Sequence, residues 1–91
     1  MAMTATERHD IVSRGERIYQ EGIRPHVETA ENIGKEIVID VESGDYEFDR
    51  DGMKADGRLR TRRPNGIFYG ARIGYDAAYT IGGVLKRTAD Q

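Results

Sequence analysis

The chain has 91 residues, 37% of them hydrophobic and 33% charged, with a formal net charge of −2 and a pI near 5.6. That excludes a disordered polyelectrolyte and leaves one small domain, 1–91, with a thin core, since a chain of this size buries only about 60–65% of its unfolded surface. The absence of cysteine excludes disulfide and thiolate chemistry and permits a reducing compartment.

The N-terminal MAMTATERHD carries no apolar signal core, and no run approaches membrane-spanning length, so a cytoplasmic location without membrane contact is expected. Thr4-Ala5-Thr6-Glu7 has capping-box spacing. Beyond it Ile11, Val12, Ile18, Tyr19 and Ile23 recur on one face, which predicts a helix over about 5–22. Gly15 and Gly22 lie on the same stripe and weaken the helix by roughly 1 kcal/mol each relative to alanine. Glycine on a packed face implies close backbone approach, either to the sheet or to another copy of the helix. Arg24-Pro25 is expected to stop the helix, because a residue before proline avoids helical backbone angles.

After a polar connector, residues 35–41 alternate and are rich in β-branched side chains, which predicts a strand. Ser43-Gly44 reads as a turn and Tyr46 to Asp49 as the returning strand. With a two-residue loop, Val41 would face Tyr46 and Ile39 would face Phe48. On the other side Glu42 would face Asp45, and Asp40 would face Glu47. Asp51 or Asp49 can cap a second helix, Met53 to about Arg63, weakened by Gly57. Pro64-Asn65-Gly66 is a turn signal. A third strand, 67–73, places Ile67, Tyr69, Ala71 and Ile73 on one face and Phe68, Gly70 and Arg72 on the other. A short fourth strand is expected at 78–81, and VLKRTADQ as a tail that can dock through Val84 and Leu85. Residues 1–5 and 86–91 are expected to be flexible. The order α-β-β-α-β-β defines an α+β domain, with an antiparallel-rich sheet and its helices on one face.

Charge is distributed unevenly. Residues 1–34 carry four basic and six acidic side chains, 35–52 two and seven, and 53–91 eight and three. The hairpin therefore presents Asp40, Glu42, Asp45, Glu47 and Asp49, and the following segment presents Arg58, Arg60, Arg62, Arg63 and Arg72. Like charges opposite one another on a sheet are mildly destabilising. Water, a metal or basic side chains can relieve them. Glu47-Phe-Asp49-Arg-Asp51-Gly52 resembles the start of a calcium loop, but the twelfth position, which should supply a bidentate glutamate, is Arg58. No metal or cofactor is therefore expected. Arg72 can lie beside Asp40 and Glu47, and one arginine cannot balance five carboxylates. The acidic surface is thus left for a basic partner or another copy.

The cluster RLRTRR can alternatively contact phosphates, against an acidic overall charge and a neighbouring acidic face. Catalysis is not expected. The two histidines, His9 and His26, sit in polar segments, no serine lies in a nucleophile elbow, and the glycines at 66, 70 and 74 suit strand packing better than a phosphate loop.

The run GKEIVIDVESGDYE, with ARIGY after a helix and an Arg-Pro turn, resembles a family of short, uncharacterised bacterial proteins of cyanobacterial type. The likeness covers roughly residues 15–85 and matches Gly34, Lys35, Asp40, Gly44, Asp45, Tyr46, Arg72, Gly74 and Tyr75. It implies a small, antitoxin-like partner module and brings no catalytic role. The resulting expectation is a non-enzymatic protein-interaction module that binds a protein partner or forms a homo-oligomer. Nucleic-acid binding through Arg58, Arg60, Arg62 and Arg63 is the alternative.

Overall fold

A computed structural model describes residues 4–75. The expected fourth strand and the C-terminal tail lie outside these residues. The domain is α+β, with element order α1 (Ala5–Ile18), a π-helical turn (Tyr19–Ile23), α2 (Arg24–Val27), β1 (Glu36–Asp40), β2 (Tyr46–Asp49), α3 (Gly52–Arg62) and β3 (Phe68–Arg72).

The capping box forms as its spacing predicts: the Glu7 N–H donates to the Thr4 hydroxyl at 3.0 Å, and the Thr4 N–H to the Glu7 carboxylate at 3.3 Å. The helix does not stop at Arg24-Pro25. The chain widens into the π turn, where Arg24 N–H donates to Tyr19 O, five residues back. Proline lacks an N–H and its ring crowds the carbonyl four residues earlier. A π turn lets the helix continue past it. The result carries Tyr19, Ile23 and Val27 into the core, all under 5% exposed.

The sheet is antiparallel with order β2-β1-β3. The central strand carries Ile37, Val38 and Ile39 in succession, and all three are buried. Consecutive burial requires cover on both faces, and the two helical segments supply it. Tyr19, Ile23, Val27, Ile37, Ile39, Val41, Tyr69, Ala71 and Ile73 form one cluster, on the N-terminal helix side. Val38, Ala55 and Leu59, with Phe68 against them, form the other, under α3. This corrects the expectation of helices on one face. Ile37-Val38-Ile39 is a continuous apolar run, as a strand covered on both sides should be.

Gly15 settles how the first helix packs. A Cβ there would lie 2.6 Å from Tyr69 Cβ and closer still to Cγ, so the glycine lets α1 approach β3. Gly22, by contrast, has nothing within 4 Å.

The hairpin register differs from the expected one by two residues. Ile39 pairs with Tyr46, Val38 with Glu47, Ile37 with Phe48 and Glu36 with Asp49. The loop is therefore longer than Ser43-Gly44, with Gly44 at φ 81°. A shift of two leaves every side chain on its expected face. It does remove the predicted facing pairs Glu42–Asp45 and Asp40–Glu47.

Candidate functional site

The acidic strand is neutralised from within the chain. α3 crosses β1 and β2 on the face that carries Glu47 and Asp49, and its helical spacing directs Arg58 and Arg62 down onto them. Arg58 Nε donates to Glu47 at 2.8 Å and Arg58 Nη2 to Asp49 at 3.1 Å. Arg62 forks onto Asp45, with Nε and Nη2 each at 3.0 Å, and reaches Glu47 through Nη1 at 2.6 Å. Arg63 Nε adds a bond of 3.3 Å to Asp45. Arg60 lies on another side of α3, paired with Asp56 four residues earlier at 3.0 Å, its guanidinium 4.7 Å from the centre of the Phe68 ring.

These bonds set the titration behaviour. The Arg62 guanidinium, despite some burial, holds the Asp45 carboxyl below its ordinary value. Arg58 and then Arg62 do the same for Glu47. For Asp49 the Asp51 N–H contributes most, followed by Arg58. Arg58 and Arg62 are correspondingly raised by the carboxylates that they grip.

Asp40 and Arg72 do not belong to this network. Asp40 is 3% exposed. It organises the hairpin loop, accepting from the Ser43 hydroxyl at 2.7 Å and from the Glu42 and Ile67 N–H groups at 3.3 Å each. Burial alone would raise its pKa; the hydrogen bonds from Ser43 and from the Glu42 and Ile67 backbone outweigh it and lower the value. Asp40 is therefore a buried tie between the hairpin loop and the entry to β3, which corrects its expected place on an exposed acidic face. Glu42 is exposed in that loop. Arg72 donates to Gly34 O at 2.9 Å and to Glu36 at 3.4 Å, far from its expected partners Asp40 and Glu47. The register explains this, because Arg72 lies directly opposite Glu36.

The calcium-like spacing has a different use. Asp51 caps α3 through the Met53 N–H at 2.9 Å, while Asp49 accepts from the Asp51 N–H and from Arg58. Among the described residues, no group of three or more acidic, His or Cys side chains is placed to hold a metal ion. No helix among them is long and apolar enough to cross a membrane.

A second feature has no counterpart in the sequence reading. α3 covers β1 and β2 and leaves the matching face of β3 open. The resulting cleft, of about 510 Å³, is lined by Glu36, Val38, Asp56, Arg60, Phe68 and Gly70, with Asp51 to Met53 at one end. Met53 is 84% exposed at its rim. Sequence reasoning counted Met53 as part of a meagre packing face on α3. Its one available signal was that Met53 precedes Ala55 by two positions and Leu59 by six, neither a spacing that shares a helix stripe. No family model, curated protein or solved structure matches this chain when it is compared with each.

Proposed function

We propose that this protein is a non-enzymatic, cytoplasmic interaction module that takes up an extended segment of another protein in the cleft between α3 and β3. The observation that carries the reading is the open cleft itself, apolar at Val38, Phe68 and Gly70 with Met53 standing free at its edge. A flexible thioether at the rim of an apolar groove suits a surface that adapts to a partner. Glu36, Asp51 and Asp56 set against Arg60 give the lining an acidic balance. The matching segment is therefore apolar with a flanking lysine or arginine.

The titratable groups favour a structural role over acid–base work. Asp40, Asp45, Glu47 and Asp49 are all pulled below the ordinary carboxylate range, the opposite of what a general acid at neutral pH requires. The antitoxin-type version of the module, in which Asp45 and Glu47 cover a basic cleft on a partner, would have to displace Arg58 and Arg62 first. The nucleic-acid alternative draws on guanidiniums that already meet carboxylates, and it would show itself by affinity falling steeply with salt.

The test uses short peptides that combine apolar residues with one or two lysines, alongside acidic counterparts, titrated into isotopically labelled protein. Amide shifts confined to Val38, Met53, Phe68 and Gly70 are expected with the basic peptides only, and should be lost in Met53→Glu. Shifts absent from these positions with every peptide, or indifferent to Met53→Glu, would refute the proposal.

A further inference from the structure

Strand β2 is bonded to β1 on one side and, among the described residues, to no strand on the other. Antiparallel geometry sorts its peptide groups. Asp40 N–H donates to Asp45 O at 2.8 Å, so Asp45 turns its carbonyl toward β1. By alternation Glu47 and Asp49 do likewise, and Tyr46 and Phe48 turn theirs outward. Outward N–H and C=O groups in a row are a template on which another strand can pair.

Here most of that row is occupied by side chains. Arg62 Nη2 donates to Tyr46 O at 3.2 Å, and Arg58 Nη2 donates to Phe48 O at 3.1 Å. Asp45 Oδ1 accepts from the Tyr46 N–H at 2.9 Å. Each guanidinium therefore grips an outward carbonyl and a carboxylate at once. Arg58 and Arg62 sit four residues apart on α3, and Phe48 and Tyr46 two apart on β2, so one turn of helix matches one repeat of the strand.

We infer that Arg58 and Arg62 latch the outer edge of β2, and that the latched edge is a pairing surface for a second copy of this chain. Two β2 strands set antiparallel about Glu47 place Tyr46 of one copy opposite Phe48 of the other, so the outward groups of both residues are matched. The same arrangement extends the Tyr46–Phe48 ring pair, whose centroids are 6.5 Å apart at 17°, across the junction. Both residues are half-buried in the single chain, which leaves apolar ring surface for the second copy to cover. On the opposite face Glu47 would meet Glu47 of the second copy, a like-charge contact that the latch and its counter-charges otherwise keep apart.

The experiment is light scattering coupled to size exclusion over a range of protein concentrations. Arg58→Ala/Arg62→Ala is expected to show a mass that rises with concentration toward twice the wild-type value. Arg60→Ala, which loses a cation of the same kind but no contact with the β2 backbone, is expected to match wild type. Adding Glu47→Gln to the double variant should strengthen the association several-fold. A double variant with native far-UV dichroism and wild-type mass at every concentration would overturn the inference. Equal association by Arg60→Ala would do the same. Should the double variant not fold, Arg58→Ala and Arg62→Ala are measured singly, each freeing one carbonyl, and wild-type mass in both overturns it.

Discussion

Three glycines in helical backbone make a controlled experiment, because the same added methyl should act with opposite sign at different positions. At Gly57, within α3, and at Gly22, in the π turn, an added Cβ meets nothing within 4 Å. Alanine there should stabilise by about 1 kcal/mol, the difference between glycine and alanine in a helix. At Gly15 the same gain is opposed by a collision with the base of the Tyr69 side chain, with Cβ atoms 2.6 Å apart where ordinary carbon contacts begin near 3.5 Å. Tyr69 is 3% exposed and fixed in the sheet, so α1 must lift by about 1 Å. Overpacking of this kind costs about 1–3 kcal/mol, and the upper end applies because inner rather than terminal atoms are struck. Gly15→Ala should therefore destabilise by about 2 kcal/mol, and should fall about 3 kcal/mol below Gly57→Ala. Urea unfolding of the three variants measures this directly. If Gly15→Ala proves as stabilising as Gly57→Ala, the close approach of α1 to β3 is wrong.

Other substitutions separate the two sides of the sheet. Leu59→Ala removes the anchor of α3, which is fully buried against Val38 and Ala55, and should cost about 2–4 kcal/mol by the same urea assay. Asp40→Ala strands the Ser43 hydroxyl and the Glu42 and Ile67 amides and should cost about 2–3 kcal/mol. Asp40→Asn, which retains one acceptor, should cost roughly half as much, and an equal cost would show that the loop does not depend on these bonds. The carboxyls of Asp45 and Glu47 are depressed on folding, so the stability that they supply is complete above their unfolded values of 3.8 and 4.5 and is lost as pH falls below them. Tyr19 shifts the other way. Burial, reinforced by Glu28, pushes it up to about 12, so its contribution is complete below 10 and disappears as pH rises toward 12. Phenolate absorbance followed together with dichroism should show Tyr19 ionising only as the fold is lost, whereas ionisation near pH 10 in folded protein would contradict its burial.

Much of the frame was legible from periodicity alone. The capping box at Thr4, the Asp51 cap, the second strand and the division of β3 into a core face and an Arg72 face all follow from local spacing. What escaped was set by contacts distant in sequence. The hairpin loop was read as Ser43-Gly44, but buried Asp40 folds back on Ser43 and Glu42 and lengthens it, which displaced the register by two. The answer to the acidic hairpin was sought in a partner, because Arg58 and Arg62 follow it by a full helix and no local rule brings them back across the strand. The two-sided cover of the sheet was present in Ile37-Val38-Ile39 and was masked by the neat alternation of the hairpin around it. The cleft was invisible because it arises from what α3 fails to cover, which depends on the length of a helix relative to the width of a sheet.

The π turn at Tyr19–Ile23 has a consequence for how this segment tolerates change. It holds one residue more than a regular helical path would need. Deleting any single residue between 19 and 23 would restore an unbroken 3.6-residue repeat, rotate everything after it by about 100°, and swing Val27 out of the core. It would also bring the Pro25 ring against a carbonyl that the wider turn now keeps clear. The proline and the surplus residue thus depend on one another. A change to one alone leaves the helix out of phase with the sheet beneath it, whereas a length change paired with replacement of Pro25 removes the ring clash and leaves the phase alone to be repaired.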